Sequence, residues 1–224
     1  MSETRPSHWA ELFNCAVEII RKTETAIGFQ PQWSFGGGTA LMLKIDHRES
    51  YDIDIFIDDA QMLPYLNPET QGYQIASKPS SYSTDGTRTL RLAYQNLGEI
   101  DFICCSHILS NPTFSGEVNG HRVTMDCPDE IIAKKIFYRG SSLQPRDMFD
   151  LAAVADRFGT EYVVAAMKQC GPDRCSAALA VVEKVDPEFV RKIIGNLMLR
   201  DSTVHLAAMA QPVTARLLKE ALEG

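Results

Sequence analysis

The stretch Tyr51-Asp52-Ile53-Asp54-Ile55-Phe56-Ile57 decides the fold, because its apolar and acidic residues alternate. Successive side chains on a strand point to opposite faces, so the three isoleucines share one face. Asp52 and Asp54 share the other face and must stand side by side. Two ionised carboxylates at that spacing repel each other and shift each other's pKa, so we expect a cation beside them. The stretch therefore predicts a largely buried strand that presents two acidic side chains to a positive ligand.

A glycine run precedes this strand in the segment Phe35-Gly36-Gly37-Gly38-Thr39-Ala40-Leu41. Residues 32–35 suit a short strand and residues 39–44 a short helix, with Thr39 as a possible N-cap. Glycine lets backbone N–H groups approach a phosphate, and a helix N-terminus favours negative charge. The run matches neither the Walker pattern nor the dinucleotide fingerprint, and a glycine triplet alone is usually a tight turn. Its significance comes from its fixed distance to Asp52.

Asp101 supplies a third acidic side chain, from the apolar stretch Glu99-Ile100-Asp101-Phe102-Ile103. Alone, such a residue is more often an edge or strand-end residue with a backbone partner. Together with Asp52 and Asp54 it favours a metal site, since two-metal nucleotidyl transfer needs carboxylates around ions about 4 Å apart. Hard oxygen ligands beside substrate phosphates suit Mg²⁺. The three carboxylates predict a phosphoryl- or nucleotidyl-transfer site.

His47, Arg48 and Ser50 lie just before the acidic strand. Arg48 either grips phosphate oxygens with its two-pronged guanidinium or pairs with Asp52 or Asp54. His47 is expected to be a structural hydrogen-bonding residue rather than a base or metal ligand.

A second basic group lies in the predicted helix that begins at Pro128. Lys135 falls on the apolar side of this helix and needs an anion there, unless its stem snorkels, whereas Lys134 is predicted to point elsewhere. Asp147 and Asp150 are spaced to reach Lys135 or Arg139, although Asp147 can instead cap the helix that it opens. Lys135 is therefore the better candidate for a triphosphate contact.

Composition limits the class of protein. The 224 residues are 45% hydrophobic and 23% charged, as in a globular protein with one sizeable core or two small ones. The net charge of −7 argues against non-specific coating of nucleic acid. No apolar run reaches about 18 residues, and the first residues do not resemble a signal peptide, so a cytoplasmic location without a membrane span is expected. The six cysteines form no CxxC pair, which does not favour structural zinc.

Periodicity predicts a mixed sheet domain over residues 1–125 and a helical region over 126–224. Asn119-Gly120 is a strong hairpin signal, and Gly28 suits the C-terminal cap of the first helix. The remaining predicted strands are 51–57, 87–94, 98–103, 114–118 and 121–125, with loop-rich stretches around 67–68 and over 79–86. Predicted helices cover 8–28, 59–66, 146–158, 161–167, 176–185, 187–198 and 213–222, with breaks at Gly159, Gly171-Pro172 and Pro212, and a further helix begins at Pro128 and includes Phe137.

The assembled pattern resembles the AbiEii-type nucleotidyltransferase toxins of the DNA polymerase β-like nucleotidyltransferase superfamily. The resemblance covers about residues 33–151 and rests on these motifs: Gly37-Gly38-Thr39-Ala40-Leu41, His47-Arg48-x-Ser50-x-Asp52-Ile53-Asp54-Ile55-Phe56, Asp101, Lys135, and Arg146-Asp147-x-x-Asp150-Leu151. It implies an α+β fold, a polymerase-β-like mixed sheet flanked by helices. The helices of residues 128–158 would complete the nucleotide site, and the rest would form an extra bundle.

The resemblance also implies chemistry and partners. Mg²⁺ or Mn²⁺ would be bound by Asp52, Asp54 and Asp101, and Lys135 would offset phosphate charge. The NTP would be held by Gly37, Gly38, Thr39, Arg48, Ser50, Lys135, Asp147 and Asp150. NMP would pass to an acceptor hydroxyl, on a tRNA 3′ end or a protein, in a toxin paired with a cognate antitoxin and linked to phage defence. The alternative is a non-catalytic module on the same fold that binds nucleotide or a partner protein.

Overall fold

The computed structural model describes residues 7–223, and seven strands of this part form one mixed sheet. The strands are β1 (Trp33–Gly36), β2 (Ile53–Ile57), β3 (Ser81–Thr84), β4 (Thr89–Tyr94), β5 (Gly98–Cys104), β6 (Thr113–Val118) and β7 (His121–Asp126). Their order is β3-β4-β5-β2-β1-β7-β6. The pairs β2–β5 and β1–β7 are parallel and the other pairs are antiparallel.

Helices account for most of the remaining described chain. They are α1 (Trp9–Ile27), α2 (Gly37–Ile45), α3 (Pro68–Gln71), α4 (Pro128–Arg139), α5 (Pro145–Phe158), α6 (Thr160–Gln169), α7 (Pro172–Lys184), α8 (Pro187–Gly195) and α9 (Ala210–Leu222). A 3₁₀-helix covers Ala60–Leu66, and shorter ones cover Gly140–Ser142 and Val204–Leu206. The predicted mixed sheet with a helical C-terminal part is confirmed.

The chain forms two compact units. The first contains the described residues up to Ala40, then Ser50–Ser106 and Thr113–Asp126; the second contains Leu41–Glu49, His107–Pro112 and the described residues from Cys127 onward. The simpler division of the sequence after residue 125 stays a prediction.

The first unit holds the sheet and α1. The predicted alternation in β2 is confirmed, because its three isoleucines are buried while Asp54 and Phe56 are partly exposed. Phe13 of α1 packs against Phe35 of β1, with 4.9 Å between the ring centroids. Since Phe35 is paired with Ile55 across β1 and β2, the isoleucine face is the one that α1 covers.

The second unit is helical, and α5 supplies the middle of its apolar core. Buried residues of α5 include Met148, Phe149, Leu151 and Val154, each without solvent exposure. Met148, Leu151 and Val154 recur at three-residue intervals and Phe149 adjoins Met148, which places them on one broad face of the helix. The same helix also carries Asp147 and Asp150 in buried positions. These charges need partners close by.

Some local predictions are confirmed and others are wrong. The Asn119-Gly120 hairpin forms, with positive φ at both residues, as its turn type requires. Thr39 is not an N-cap, because α2 already begins at Gly37. The stretches predicted to be loop-rich contain β3 and the first residue of α3. Pro212 does not break a helix, since it lies in the first turn of α9, where N–H groups have no partner within the helix.

Candidate active site

Asp54 and Asp101 are direct neighbours in the sheet. They occupy paired positions on the parallel strands β2 and β5. Paired residues on adjacent strands present their side chains on the same face, so both carboxylates lie on the face opposite the isoleucines. The sequence predicted that separate stretches bring these two acids together, and the register does so.

Arg91 and Glu99 belong to the same face, although sequence reasoning did not select them. Arg91 of β4 is paired with Asp101, and its Nε and Nη2 donate to the two carboxylate oxygens of Asp101 at 2.7 and 2.8 Å. Its Nη1 lies 3.2 Å from Oε2 of Glu99. A usable signal was present, because Glu99 lies two residues before Asp101 and Arg91 is the charged position of an alternating strand.

The electrostatic field at Arg91 is strongly negative. Its hydrogen bonds to Asp101 raise the pKa of the guanidinium above its ordinary value, and the charges of Asp101, Glu99 and Asp52 add to this. Arg91 is therefore the counter-ion of the acidic face in the described structure.

Asp52 lies just before β2, where the hydroxyl of Thr39 contacts its backbone carbonyl. Its Oδ1 accepts a hydrogen bond from the backbone N–H of Glu99 at 3.1 Å. The hydroxyl of Thr39 donates to the carbonyl oxygen of Asp52 and lies 2.9 Å from Oγ of Ser50. Thr39 and Ser50 are buried, so these contacts are shielded from water. Both residues therefore have a structural role in positioning Asp52, and their predicted contact with nucleotide stays a prediction.

The glycine run makes room for acidic side chains. Gly37 has φ +67°, and a Cβ at this position would overlap the carboxylate of Asp54. A Cβ on Gly36 would lie 2.5 Å from Oδ2 of Asp126, a buried residue whose Oδ1 accepts from Ser34 at 2.6 Å. Side chains larger than hydrogen are thus excluded here for a steric reason. The predicted approach of Gly37 and Gly38 to a phosphate stays a prediction.

A buried ionic cluster occupies the second unit. Asp150 accepts from Nε and Nη2 of Arg48 at 2.7 and 2.9 Å, and from Nε2 of His47 at 2.9 Å. Nζ of Lys135 lies 2.6 Å from Asp147 and 3.0 Å from Asp150. Arg139 lies 3.3 Å from Asp147 at the more exposed edge.

The charges of this cluster stabilise one another. Burial alone would raise the pKa of Asp150, but Arg48 and Lys135 outweigh it and hold that pKa well below its ordinary value. The pKa of Asp147 is likewise lowered, because Lys135 and Arg139 outweigh burial. Burial acts to lower the pKa of Lys135, yet the two carboxylates raise it. The charged forms of Asp147, Asp150 and Lys135 therefore favour one another.

The contacts of this cluster confirm several predictions. Asp147 and Asp150 do reach Lys135, and Asp147 also accepts from the backbone N–H of Gln144 at the start of α5, so both predicted roles are filled. His47 is a buried hydrogen-bonding residue, as expected. Arg48 binds Asp150, a partner that the sequence did not suggest.

Lys134 points elsewhere than Lys135, as predicted, although it is buried as well. Its Nζ lies 3.8 Å from Glu130. The predicted contacts of Arg48, Lys135, Asp147 and Asp150 with nucleotide stay predictions.

Family comparison identifies the chain. A model of the nucleotidyl transferase AbiEii toxin of type IV toxin–antitoxin systems matches residues 23–221 of the 224. The chain belongs to this family. The AbiEii-family protein is accordingly an enzyme, a nucleotidyltransferase of a toxin–antitoxin system, and membership implies an NTP substrate and an antitoxin partner.

Solved structures show more distant similarity. JHP933 from Helicobacter pylori aligns at a TM-score of 0.48 with 15% identity, over 97% of this chain and 93% of that one. A candidate nucleotidyltransferase from H. pylori aligns at a TM-score of 0.47 with 18% identity, over 97% of this chain and 98% of that one. The antibiotic-resistance factor ANT(2'')-Ia aligns at a TM-score of 0.38 with 13% identity, over 78% of this chain and 94% of that one. No curated protein matches the chain. Assignment to the enzyme class therefore depends on the family match.

Membrane-spanning helices are not found. Within residues 7–223, each helix is too short or too polar to cross a bilayer.

Proposed function

We propose that this AbiEii-family enzyme transfers NMP from NTP to an acceptor hydroxyl, with release of pyrophosphate and with the help of a divalent ion held on the acidic face of its sheet. The observation that carries the proposal is the pairing of Asp54 with Asp101 on adjacent parallel strands. Carboxylates are the ligands that Mg²⁺ and Mn²⁺ prefer, and one ion between two such side chains removes their mutual repulsion. Asp52, two residues before Asp54, is the proposed third ligand.

The residues fit such an ion in chemistry, because all three are carboxylates. Gly37 leaves room for the Asp54 carboxylate itself, since a Cβ at this position would overlap it. Within the described residues, no three His, Cys, Asp or Glu side chains are already arranged around a metal position. In the structure these carboxylates have other partners. Asp52 accepts a hydrogen bond from the backbone N–H of Glu99, and both oxygens of Asp101 accept hydrogen bonds from Arg91. The proposed site therefore needs these side chains to exchange partners.

The bound ion would supply charge neutralisation on the phosphates and a more acidic acceptor hydroxyl. Asp101 is proposed to orient the attacking oxygen, because a carboxylate at hydrogen-bond distance can accept its proton. Thr39 and Ser50 are proposed to keep the backbone of Asp52 in place through their hydroxyl contacts. The acceptor classes are tRNA 3′ ends and proteins.

A labelled-nucleotide assay tests the proposal. The full chain is incubated with Mg²⁺ or Mn²⁺, each labelled NTP in turn, and either total tRNA or cellular protein. Transfer of label that is lost in Asp54→Asn and in Asp101→Asn supports the proposal. Glu117→Gln is the matched control, since Glu117 is an exposed carboxylate on β6 of the same unit. Transfer without added metal, or unimpaired transfer by Asp54→Asn, contradicts it; nucleotide binding without any product favours the non-catalytic alternative.

A further inference from the structure

Arg91 belongs to the acidic face, and the proposed function gives it no role. We propose that Arg91 competes with the divalent ion for Asp101, so that it holds this carboxylate in the metal-free enzyme and must release it when the ion binds. This inference rests on the proposed metal site at Asp54 and Asp101. It concerns a positioning residue, since Arg91 acts through Asp101.

Arg91 already occupies both carboxylate oxygens of Asp101. Two parallel hydrogen bonds of 2.7 and 2.8 Å join Nε and Nη2 of Arg91 to these oxygens. This two-pronged geometry is the strongest that arginine makes with a carboxylate. Asp101 is also the partner that Arg91 faces across the strand pair, so the backbone holds the two residues opposite each other.

The guanidinium of Arg91 and the proposed divalent ion would repel each other. A guanidinium bound to both oxygens of Asp101 places a positive charge beside the position of the proposed divalent ion. Like charges at such a distance destabilise each other, and only partial solvent screening acts here, because the side chain of Asp101 is 17% exposed. Metal binding at Asp101 and the Arg91 pair therefore oppose each other.

Arg91 also has a second partner. Its Nη1 lies 3.2 Å from Oε2 of Glu99, and half of the Arg91 side chain is exposed. The guanidinium can thus remain on Glu99 and in water after it leaves Asp101.

Titration of the full chain with Mn²⁺ measures the competition directly. Wild type, Arg91→Gln, Arg91→Lys and Arg122→Gln are compared by calorimetry or by the electron paramagnetic resonance of free Mn²⁺. We expect Arg91→Gln to bind Mn²⁺ roughly tenfold more tightly, since an ion pair and a repulsion are both removed. The Mn²⁺ affinity of Arg91→Lys should lie between those of wild type and Arg91→Gln, because a lysine cannot bind both carboxylate oxygens in parallel. Arg122 is an exposed arginine on β7 of the same unit, so its variant controls for net charge.

The outcomes separate this inference from the proposed function. Equal affinities for wild type and Arg91→Gln, or equal gains in Arg91→Gln and Arg122→Gln, overturn the role of Arg91. The metal site itself survives in that case if Asp54→Asn abolishes binding. An absence of saturable Mn²⁺ binding in every variant overturns both proposals.

A second readout needs no variant and so does not depend on folding of a mutant. Arginine-modifying dicarbonyl reagents are applied to wild type with and without saturating Mn²⁺, and the modified sites are quantified by mass spectrometry. Arg91 should become several-fold more reactive with the metal, while Arg122 stays constant. Unchanged or reduced reactivity of Arg91 overturns the inference.

Discussion

Removal of Asp150 is expected to destabilise the enzyme strongly. In the described structure, Arg48 and Lys135 are balanced by the carboxylates of Asp147 and Asp150, and all four groups are buried. After Asp150→Ala, two buried cations face a single carboxylate, and His47 also loses its acceptor. Breaking a buried ion pair from one side costs about 3–5 kcal/mol. Total stabilities are about 5–15 kcal/mol, so this loss is a large share.

Chemical denaturation followed by far-ultraviolet circular dichroism measures this change, because the helices that surround Asp150 dominate that signal. Tryptophan fluorescence gives a separate view of the first unit, which contains Trp9 and Trp33. Asp156→Ala is the matched control on the same helix, since Asp156 is half-exposed and should shift stability by no more than about 0.5 kcal/mol.

A double-mutant cycle tests the stated cause. If unpaired charge is the reason, Asp150→Ala combined with Arg48→Met should cost less than the sum of the single variants, because the second change removes a cation that the first leaves unpaired. Additive losses, or a loss for Asp150→Ala no larger than that for Asp156→Ala, would refute the reasoning.

Three further predictions concern the two units. Gly37→Ala should abolish label transfer, because its Cβ overlaps Asp54; Gly120→Ala, which has a similar positive φ but open space around it, should transfer normally in the same assay. Thr39→Val should lower the free energy of unfolding by about 0.5–1.5 kcal/mol in denaturant titrations, since the partly buried carbonyl of Asp52 loses this donor. The two buried carboxylates of α5 have lowered pKa values. Their stabilisation is therefore complete above the ordinary carboxyl pKa and is lost as pH falls through the lowered values, which acid titration of the dichroism signal should show in wild type but less in Asp150→Ala.

The local sequence was sufficient to predict elements that depend on interactions between residues close together in the chain. The alternation in β2, the Asn119-Gly120 turn and the first helix with its Gly28 cap were all predictable from spacing and backbone preference. The prediction of a loop was wrong at β3 because this strand has no apolar face. All its residues are exposed, and only pairing with β4 makes it a strand.

The candidate site likewise has some features that the sequence determined and others that only the tertiary structure decided. The sequence by itself determined which residue types are present, that Asp54 lies on the face opposite the isoleucines, and that Lys135 needs an anion. Only the tertiary structure decided the partners: strand order placed Asp101 between Asp54 and Arg91, and packing of α5 brought Asp150 to Arg48. Strand order and helix packing depend on contacts between residues far apart in the chain. Periodicity describes one element at a time and therefore contains no information about which charged residue another element will bring beside it.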